Sequence, residues 1–403
     1  MATAHVPPES PNQSYRALQP NKPNHGDNRE GDTHIRRAIG LGAAEDKTQI
    51  RSKQKLPPFE MLDEGETKIR PRSDIRPRSD YPRTERALSD LHQAAIEQIS
   101  RIKSELARQI FGKSEQIEAA LICLLTGGHL LIEDVPGVGK TKLAKILHQA
   151  LGLNLKRIQF TPDILPSDVT GNLIFNPRDR EFEFRPGPVF TDILLADEIN
   201  RATPRTQSSL LECMAEKQVT VDGKTLRLAE NFFVIATQNP IEQQGTFPLP
   251  EAQLDRFMMR ISMGYPHNEH EVEILESVLH PGSAGDLQQV VAAADIHNIR
   301  QYIGEVHVAK NMLLYIVSIV DHIRKHPDVL VGASPRSSID LLRASQGKAF
   351  CLGLNFVEPS IVKKMAIKVL NHRIILKPQA RISGTSPEMI INDTLHSIQV
   401  PVD

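Results

Sequence analysis

Tryptophan is absent from this 403-residue sequence, and aromatic residues of all kinds make up only 4% of it. Any core must come from aliphatic side chains. Apolar residues reach 40% and charged residues 24%, near the averages of soluble proteins, so the chain still falls in the ordinary globular class. Net charge is equally scarce, at −1. No global field exists to attract nucleic acid or an anionic membrane, which argues against nucleic-acid binding. The three cysteines, Cys123, Cys213 and Cys351, are far apart and lie among apolar neighbours. That spacing speaks against a disulfide framework or a metal cluster and makes them small core residues. No apolar run reaches the ~18 residues of a membrane-spanning helix. The polar, Pro-rich beginning lacks a signal-peptide core, so neither membrane insertion nor export is expected and a reducing cytoplasmic setting fits.

What the sequence does contain falls into three parts. Residues 1–86 are rich in Pro, Asn, Arg and acids without apolar periodicity, and read as a disordered tail. Within it stands a tandem hexapeptide, "IRPRSDIRPRSD", Ile69 to Asp80, which reads as an extended, solvated linker. Order is expected from about residue 87, where Leu88, Leu91, Ala95, Ile99, Ile102 and Leu106 recur at helical spacing. The apolar runs "HLLIED", "LKRIQF", "DILLADE", "FFVIATQN" and "MRISMGY" then alternate with helical stretches. Such alternation predicts an α/β fold with a parallel sheet covered on both faces over residues 87–265. Strand signals nearly vanish over 266–403. Segments such as "MLLYIVSIVDHIRKH" read as buried helix, and a smaller helical domain follows.

The chemistry starts at "VPGVGKT", between an apolar strand and a helix that Gly152 stops. Backbone N–H groups of Pro-Gly-x-Gly residues Gly137, Val138 and Gly139, after Pro136, can point at phosphate oxygens. The helix N-terminus adds positive partial charge. Lys140 would neutralise phosphate charge, Thr141 would ligate magnesium, and Lys142 completes the loop. The pattern G-x-x-x-x-G-K-[ST] wants glycine where this chain has Asp134. If that position needs a left-handed backbone, Asp is among the few other residues that adopt it, with its carboxylate turned outward.

"ILLADE" ends an apolar strand with Asp197 and Glu198, where ligands of parallel sheets bind. Asp197 suits the magnesium shell and Glu198 the polarising of a water for attack on a γ-phosphate. "FFVIATQNP" ends another strand with Gln238 and Asn239. Their amides can meet the water or γ-phosphate, or Asn239 can simply form a turn before Pro240.

In this order the run "LLADEINRATPRTQSSLLECMAEKQVTVDGK", then "VIATQNPIEQQGTFPLPEAQLDRF" and "VGASPRSSIDLL", closely resembles the MoxR family of AAA+ ATPases over about Ile110 to Arg373. The resemblance implies a five-stranded αβα core with a helical lid, and ATP held at the subunit boundaries of a ring, commonly a hexamer. It implies roles as well: Lys140 and Thr141 in the phosphate loop, Asp197 and Glu198 as the Walker B pair, Asn239 as first sensor. Arg256 of "LDRF" becomes the arginine finger given to a neighbour's nucleotide, and Arg336 of "GASPR" the second sensor. Partner remodelling, metalloenzyme maturation and a partner with a von Willebrand factor A domain are further implications.

The residues themselves lend the arginines some support. Arg256 has no acid three or four positions away, and Arg336 falls in the first turn of a helix begun by Ser334 and Pro335, where a cation opposes the helix dipole. An i,i+4 pair with Asp340 is the plainer explanation of Arg336. Two segments read as hairpins, "NLIFNPRDREFEF" and "QVTVDGKTLRL" with its Asp222-Gly223 turn. Thr203 and Pro204 read as the start of a helix after the acidic strand end, leaving Arg201 and Arg205 as surface residues of little weight. "HNEHE", with His267 and His270, reads as a polar helix start rather than a metal site. Against this ATP-hydrolysing ring stand a magnesium-chelatase-like motor subunit and a nucleotide-gated binding switch whose turnover Asp134 has slowed.

Overall fold

All five apolar runs become strands of one parallel sheet, in the order Leu155–Gln159, Ile193–Asp197, Phe233–Gln238, Leu130–Glu133, Met259–Ile261. The computed structural model describes residues 90–240, 245–280 and 287–401, all within one compact unit, Phe59–Asp403. The tail over 1–86, its hexapeptide repeat and Leu88 lie outside the described residues.

Two helices, α1 (Asp90–Gln109) and α2 (Ser114–Leu125), lead into β1 (Leu130–Glu133) and the loop that opens α3 (Lys140–Leu151). Then come β2 (Leu155–Gln159), a short α4 (Pro166–Thr170), the hairpin β3 (Gly171–Asn176) and β4 (Glu181–Pro186), and β5 (Ile193–Asp197). Helix α5 (Pro204–Glu216) precedes a second hairpin, β6 (Gln218–Val221) and β7 (Lys224–Arg227), and then β8 (Phe233–Gln238). The turn of α6 (Glu251–Leu254) leads to β9 (Met259–Ile261). Both expected hairpins form, and Asp222 and Gly223 adopt φ values of 50° and 71°. Those values suit the tight turn that closes antiparallel strands without splaying them.

The remainder is mostly helical: α7 (Asn268–Leu279), α8 (Ala293–Glu305), α9 (Lys310–Lys325), α10 (Pro335–Cys351), α11 (Pro359–Leu370), α12 (Pro378–Ile382) and α13 (Pro387–Ser397). Two short strands that periodicity missed, β10 (Val329–Val331) and β11 (Ile375–Leu376), pair antiparallel among them. At three and two residues they are too short for an alternating pattern to stand out. Helix α9 departs from the expectation of full burial. Its Met312, Tyr315, Ile316, Ile319, Val320 and Ile323 are buried, whereas Leu314 and Val317 are more than half exposed. Helix α1 buries Ala95, Ile99, Ile102 and Leu106 as its stripe predicts, but Leu91, in its first turn, is 66% exposed.

Of the sheet's central strands, β5 is buried from end to end, as are the first five residues of β8 and the first three of β1. Parallel strands covered by helices on both faces produce this pattern. Because all five strands point the same way, one edge of the sheet carries every strand's C-terminal end and the opposite edge every N-terminal end. Ligands of such sheets bind beyond the C-terminal ends.

Candidate active site

At the C-terminal edge three loops meet. The phosphate-type loop leaves β1, Asp197 and Glu198 end β5, and Gln238 and Asn239 end β8. Gly137 and Gly139 take φ of 88° and 95°, values open to glycine and strained for residues with a Cβ. Gly139 caps α3, while Pro136 and Gly137 are exposed and Val138 packs partly on the core. Lys140 is buried, and its Nζ donates to the Asp134 carbonyl at 2.8 Å, folding across the loop. Thr141 is half-buried at the second position of α3, and Lys142 is exposed.

Asp134 is not left-handed, contrary to the conditional expectation; it is missing from the non-glycine residues at positive φ. Its place is fixed by side-chain bonding instead. Oδ2 accepts from Ser262 Oγ at 2.9 Å and from the Gly264 N–H at 2.6 Å, and Oδ1 from its neighbour Val135 N–H at 2.8 Å. Burial pushes the carboxyl pKa up, but the bonds from Gly264, Ser262, Val135 and Met263 outweigh it and hold it below the ordinary value. The missing glycine is thus a carboxylate that ties the loop to the chain after β9.

The acidic pair is held from both sides. Thr237 Oγ1 donates to Asp197 Oδ1 at 2.5 Å and accepts from the Glu198 N–H at 2.9 Å. Glu198 has φ of 55°, a strained conformation for glutamate, at the start of a 3-10 turn over Ile199–Arg201. Its Oε2 accepts from Gln159 Nε2 at 2.7 Å and Arg201 Nη1 at 2.9 Å. Arg157 reaches from β2 to Asp197 Oδ2, with Nη2 at 2.7 Å. Asn239 is 7% exposed, and its carbonyl accepts from Asn200 Nδ2 at 3.3 Å. Thr141 and Asp197 supply hard oxygen donors of the kind magnesium takes, and Asp197 already faces a cation in Arg157. The donor set fits the ion.

Sequence reading missed Thr237, Arg157 and Gln159, and gave Arg201 too little weight. Arg201 is an ion-pair partner of Glu198. The signal for Thr237 was present, since it directly precedes Gln238 and Asn239. For Arg157 and Gln159 it was not, because only the strand order sets β2 beside β5, with Gln159 opposite Asp197.

Arg256 and Arg336 are elsewhere. Arg256 precedes β9, whose Met259 pairs with Leu130, the first residue of β1, so it lies at the N-terminal edge. The four residues of β1 separate that edge from the phosphate loop by about 13 Å. Arg336, at the start of α10, lines the same cavity of about 630 Å³ as Arg256; no residue of the loop 134–141 does. Ser334 caps α10 by accepting from the Arg336 N–H, as expected. The i,i+4 contact from Arg336 to Asp340 is long, at 3.9 Å, while Arg373 Nη2 sits 2.6 Å from the same carboxylate oxygen. Asp340 therefore serves Arg373 first. Arg205 is exposed, and His267 and His270 sit at the start of α7, where His270 pairs with Glu273 at 2.8 Å. Cys123 and Cys213 are buried and Cys351 partly so; burial pushes the thiols of Cys213 and Cys351 up to about 12.

Comparison with known proteins bears on this arrangement. Residues 129–259 match the model of the ATPase family associated with various cellular activities (AAA), and residues 322–394 that of the AAA lid domain. The chain is 45% identical over 316 residues to the uncharacterized protein YeaC of Bacillus subtilis, covering 78% of this chain and 97% of that one. It is 37% identical over 318 residues to Chaperone MoxR1 of Mycobacterium tuberculosis, covering 76% and 84%. A crystal structure from Cytophaga hutchinsonii, provisionally described as an ATPase, superposes with a TM-score of 0.73 at 39% identity, covering 77% of this chain and 97% of that one.

Proposed function

This chain belongs to the MoxR family of AAA+ ATPases and hydrolyses ATP, and we propose that it does so at sites shared between copies, using the cycle to remodel a partner protein. The observation that carries the reading is the polarity of the sheet. A loop built for phosphate lies at one edge and two arginines at the other, about 13 Å away along β1. Neither arginine reaches the triphosphate of its own loop from there. Each is available to a neighbouring copy, and a closed ring brings every loop to a neighbour's arginines.

In this reading the N–H groups of Gly137, Val138 and Gly139 and the start of α3 cradle the phosphates, and Lys140 swings from the Asp134 carbonyl to neutralise them. Thr141 and Asp197 hold magnesium, which supplies charge neutralisation at the phosphates when bound. Glu198 orients the attacking water and takes up its proton. A bond forms from the water oxygen to the γ-phosphorus while the bridging bond to the β-phosphate breaks, and ADP leaves with the electron pair. Asn239 orients the same water. Arg256 and Arg336 of the neighbour stabilise the charge that develops on the transferring group. Gln159 and Arg201, which hold Glu198 to one side, release it before it can act.

The switch reading drew on Asp134. With that carboxylate engaged by Ser262, Gly264 and Val135, little in the loop supports slowed turnover. Client engagement is tested by affinity capture: Glu198→Gln should arrest the ATP-bound state and retain proteins that Lys140→Ala does not. Identical captures by the two variants would dismiss ATP-dependent remodelling. A von Willebrand factor A domain protein and a hexameric ring are the partner and the assembly that this reading carries forward for test.

A further inference from the structure

The cavity that holds Arg256 and Arg336 contains three more cations that belong to no motif: Lys217, Arg300 and Arg343. They come from different elements, the C-cap of α5, helix α8 and helix α10, so no single helical stripe explains their meeting. Against five positive side chains the lining offers one carboxylate, Asp340, and Arg373 already occupies it at 2.6 Å. Among the described residues, the side chains of Lys217, Arg256 and Arg343 make no hydrogen bond or ion pair. Arg300 is anchored by Nη2 to the Leu124 carbonyl at 2.8 Å and by Nη1 to the Glu230 carbonyl at 3.3 Å, yet its buried Nε has no partner. The nearby Glu230 carboxylate is taken by His297 at 2.6 Å.

Five cations in a concave site served only by Asp340 and the nearby Glu230 repel one another more than these carboxylates offset, and the repulsion is strongest where water is excluded. The Lys217 ammonium shows the strain: burial and then the charge of Arg300 pull its pKa down, Glu230 opposes them in part, and Arg343 adds to the lowering. Lys217 is also held at φ of 51°, the left-handed conformation that ends α5, its N–H donating to the Cys213 carbonyl. An arrangement that is unfavourable empty becomes favourable once a multiply charged anion enters.

We propose that Lys217, Arg300 and Arg343 join Arg256 and Arg336 in one phosphate socket at the N-terminal edge of the sheet, filled in the assembly by the triphosphate on the neighbouring copy's loop. The proposal rests on the shared-site reading above and widens it: five cations rather than two read the neighbour's nucleotide. Phosphate is the favoured chemistry because Lys217, Arg256 and Arg343, unpaired among the described residues, converge on one cavity, and a tetrahedral polyanion accepts from several donors at once.

The test uses the full chain carrying Lys140→Ala, which disables its own loop, and inorganic pyrophosphate as the probe in calorimetric titration. Saturable binding is expected, weakening steeply with added salt. Adding Lys217→Asn, chosen because asparagine tolerates a left-handed backbone, together with Arg343→Gln should weaken it at least ten-fold; both variants spare the anchored Arg300. Absence of pyrophosphate binding by the Lys140→Ala chain, or binding unchanged by Lys217→Asn with Arg343→Gln, overturns the socket. A second arm identifies the occupant. In Glu198→Gln saturated with ATP and magnesium, pyrophosphate binding should vanish because the neighbour's triphosphate fills the site; its persistence overturns that occupant. The shared-site reading fails separately, by Arg256→Ala leaving ATPase turnover unchanged.

Discussion

Ser334 Oγ donates to Asp255 Oδ2 at 2.8 Å, tying the residue that caps lid helix α10 to the residue just before Arg256. The two arginines of the proposed shared site are thereby fixed to one frame. Arg373 completes it: its side chain, 1% exposed, reaches Asp255 at 3.4 Å, Asp340 at 2.6 Å and the Phe257 carbonyl at 2.7 Å. Arg373→Ala should leave two carboxylates short of their cation and cost about 3–5 kcal/mol. Urea denaturation of the two proteins checks this; a loss under about 1 kcal/mol would contradict a clamp at this position.

Asp134→Gly restores the loop glycine but removes the acceptor for Ser262 and Gly264. Nucleotide affinity should hold while stability drops by about 1–3 kcal/mol, the cost of stranding buried donors. Paired denaturation and nucleotide titration separate the two effects. A variant at least as stable as the parent would contradict the tie.

If Asp197 holds magnesium as proposed, Arg157 competes with the ion for it. The ion pair is partly exposed, the arginine side chain 51% so, and is worth no more than about 1 kcal/mol after solvent screening. Arg157→Gln should lower the magnesium concentration needed for half-maximal nucleotide binding by up to roughly five-fold. An unchanged or higher requirement would show that Arg157 assists rather than competes.

Two buried histidines make stability fall on mild acidification. His129 donates from Nε2 to the Met214 carbonyl at 3.1 Å and accepts at Nδ1 from the Val234 N–H at 3.0 Å, which fixes it neutral. Burial pulls its pKa down to about 3, and burial pulls His372 well below its ordinary value too. The unfolded chain, with ordinary imidazoles near 6.5, binds more protons below that pH. Stability is therefore full above about pH 6.5 and declines beneath it, by about 1.4 kcal/mol per histidine at pH 5.5. His129→Asn should make the decline shallower in denaturation curves between about pH 7.5 and 5.5; an equal slope would contradict the assignment.

How much of this was legible beforehand depends on distance along the chain. Each sheet strand is a local apolar run, and the caps of α5 and α10 are Ser or Thr followed by Pro, so local chemistry announced them. Strand order is not local. Ser262 and Gly264, which tie Asp134 to the chain after β9, are 128 and 130 residues away, so the sequence offered only a departure from a pattern, without its cause. Arg157 and Gln159 lie in the run "LKRIQF", and their partners on β5 follow only from the strand order. Arg373 sits in "NHRIIL", where nothing marks it as buried, because Asp340, Phe257 and Asp255 are 33 to 118 residues distant. Lys217, Arg300 and Arg343 carried no motif at all, and only the fold gathers them.

The shared site is tested most directly by mixing two inactive proteins, Lys140→Ala and Arg256→Ala, in equal amounts and measuring ATP turnover. With random assembly, about a quarter of the interfaces pair an intact loop with an intact arginine, and turnover should reappear at a corresponding fraction of the parent's rate. A mixture no more active than its separate components would contradict a nucleotide site completed by the neighbouring copy.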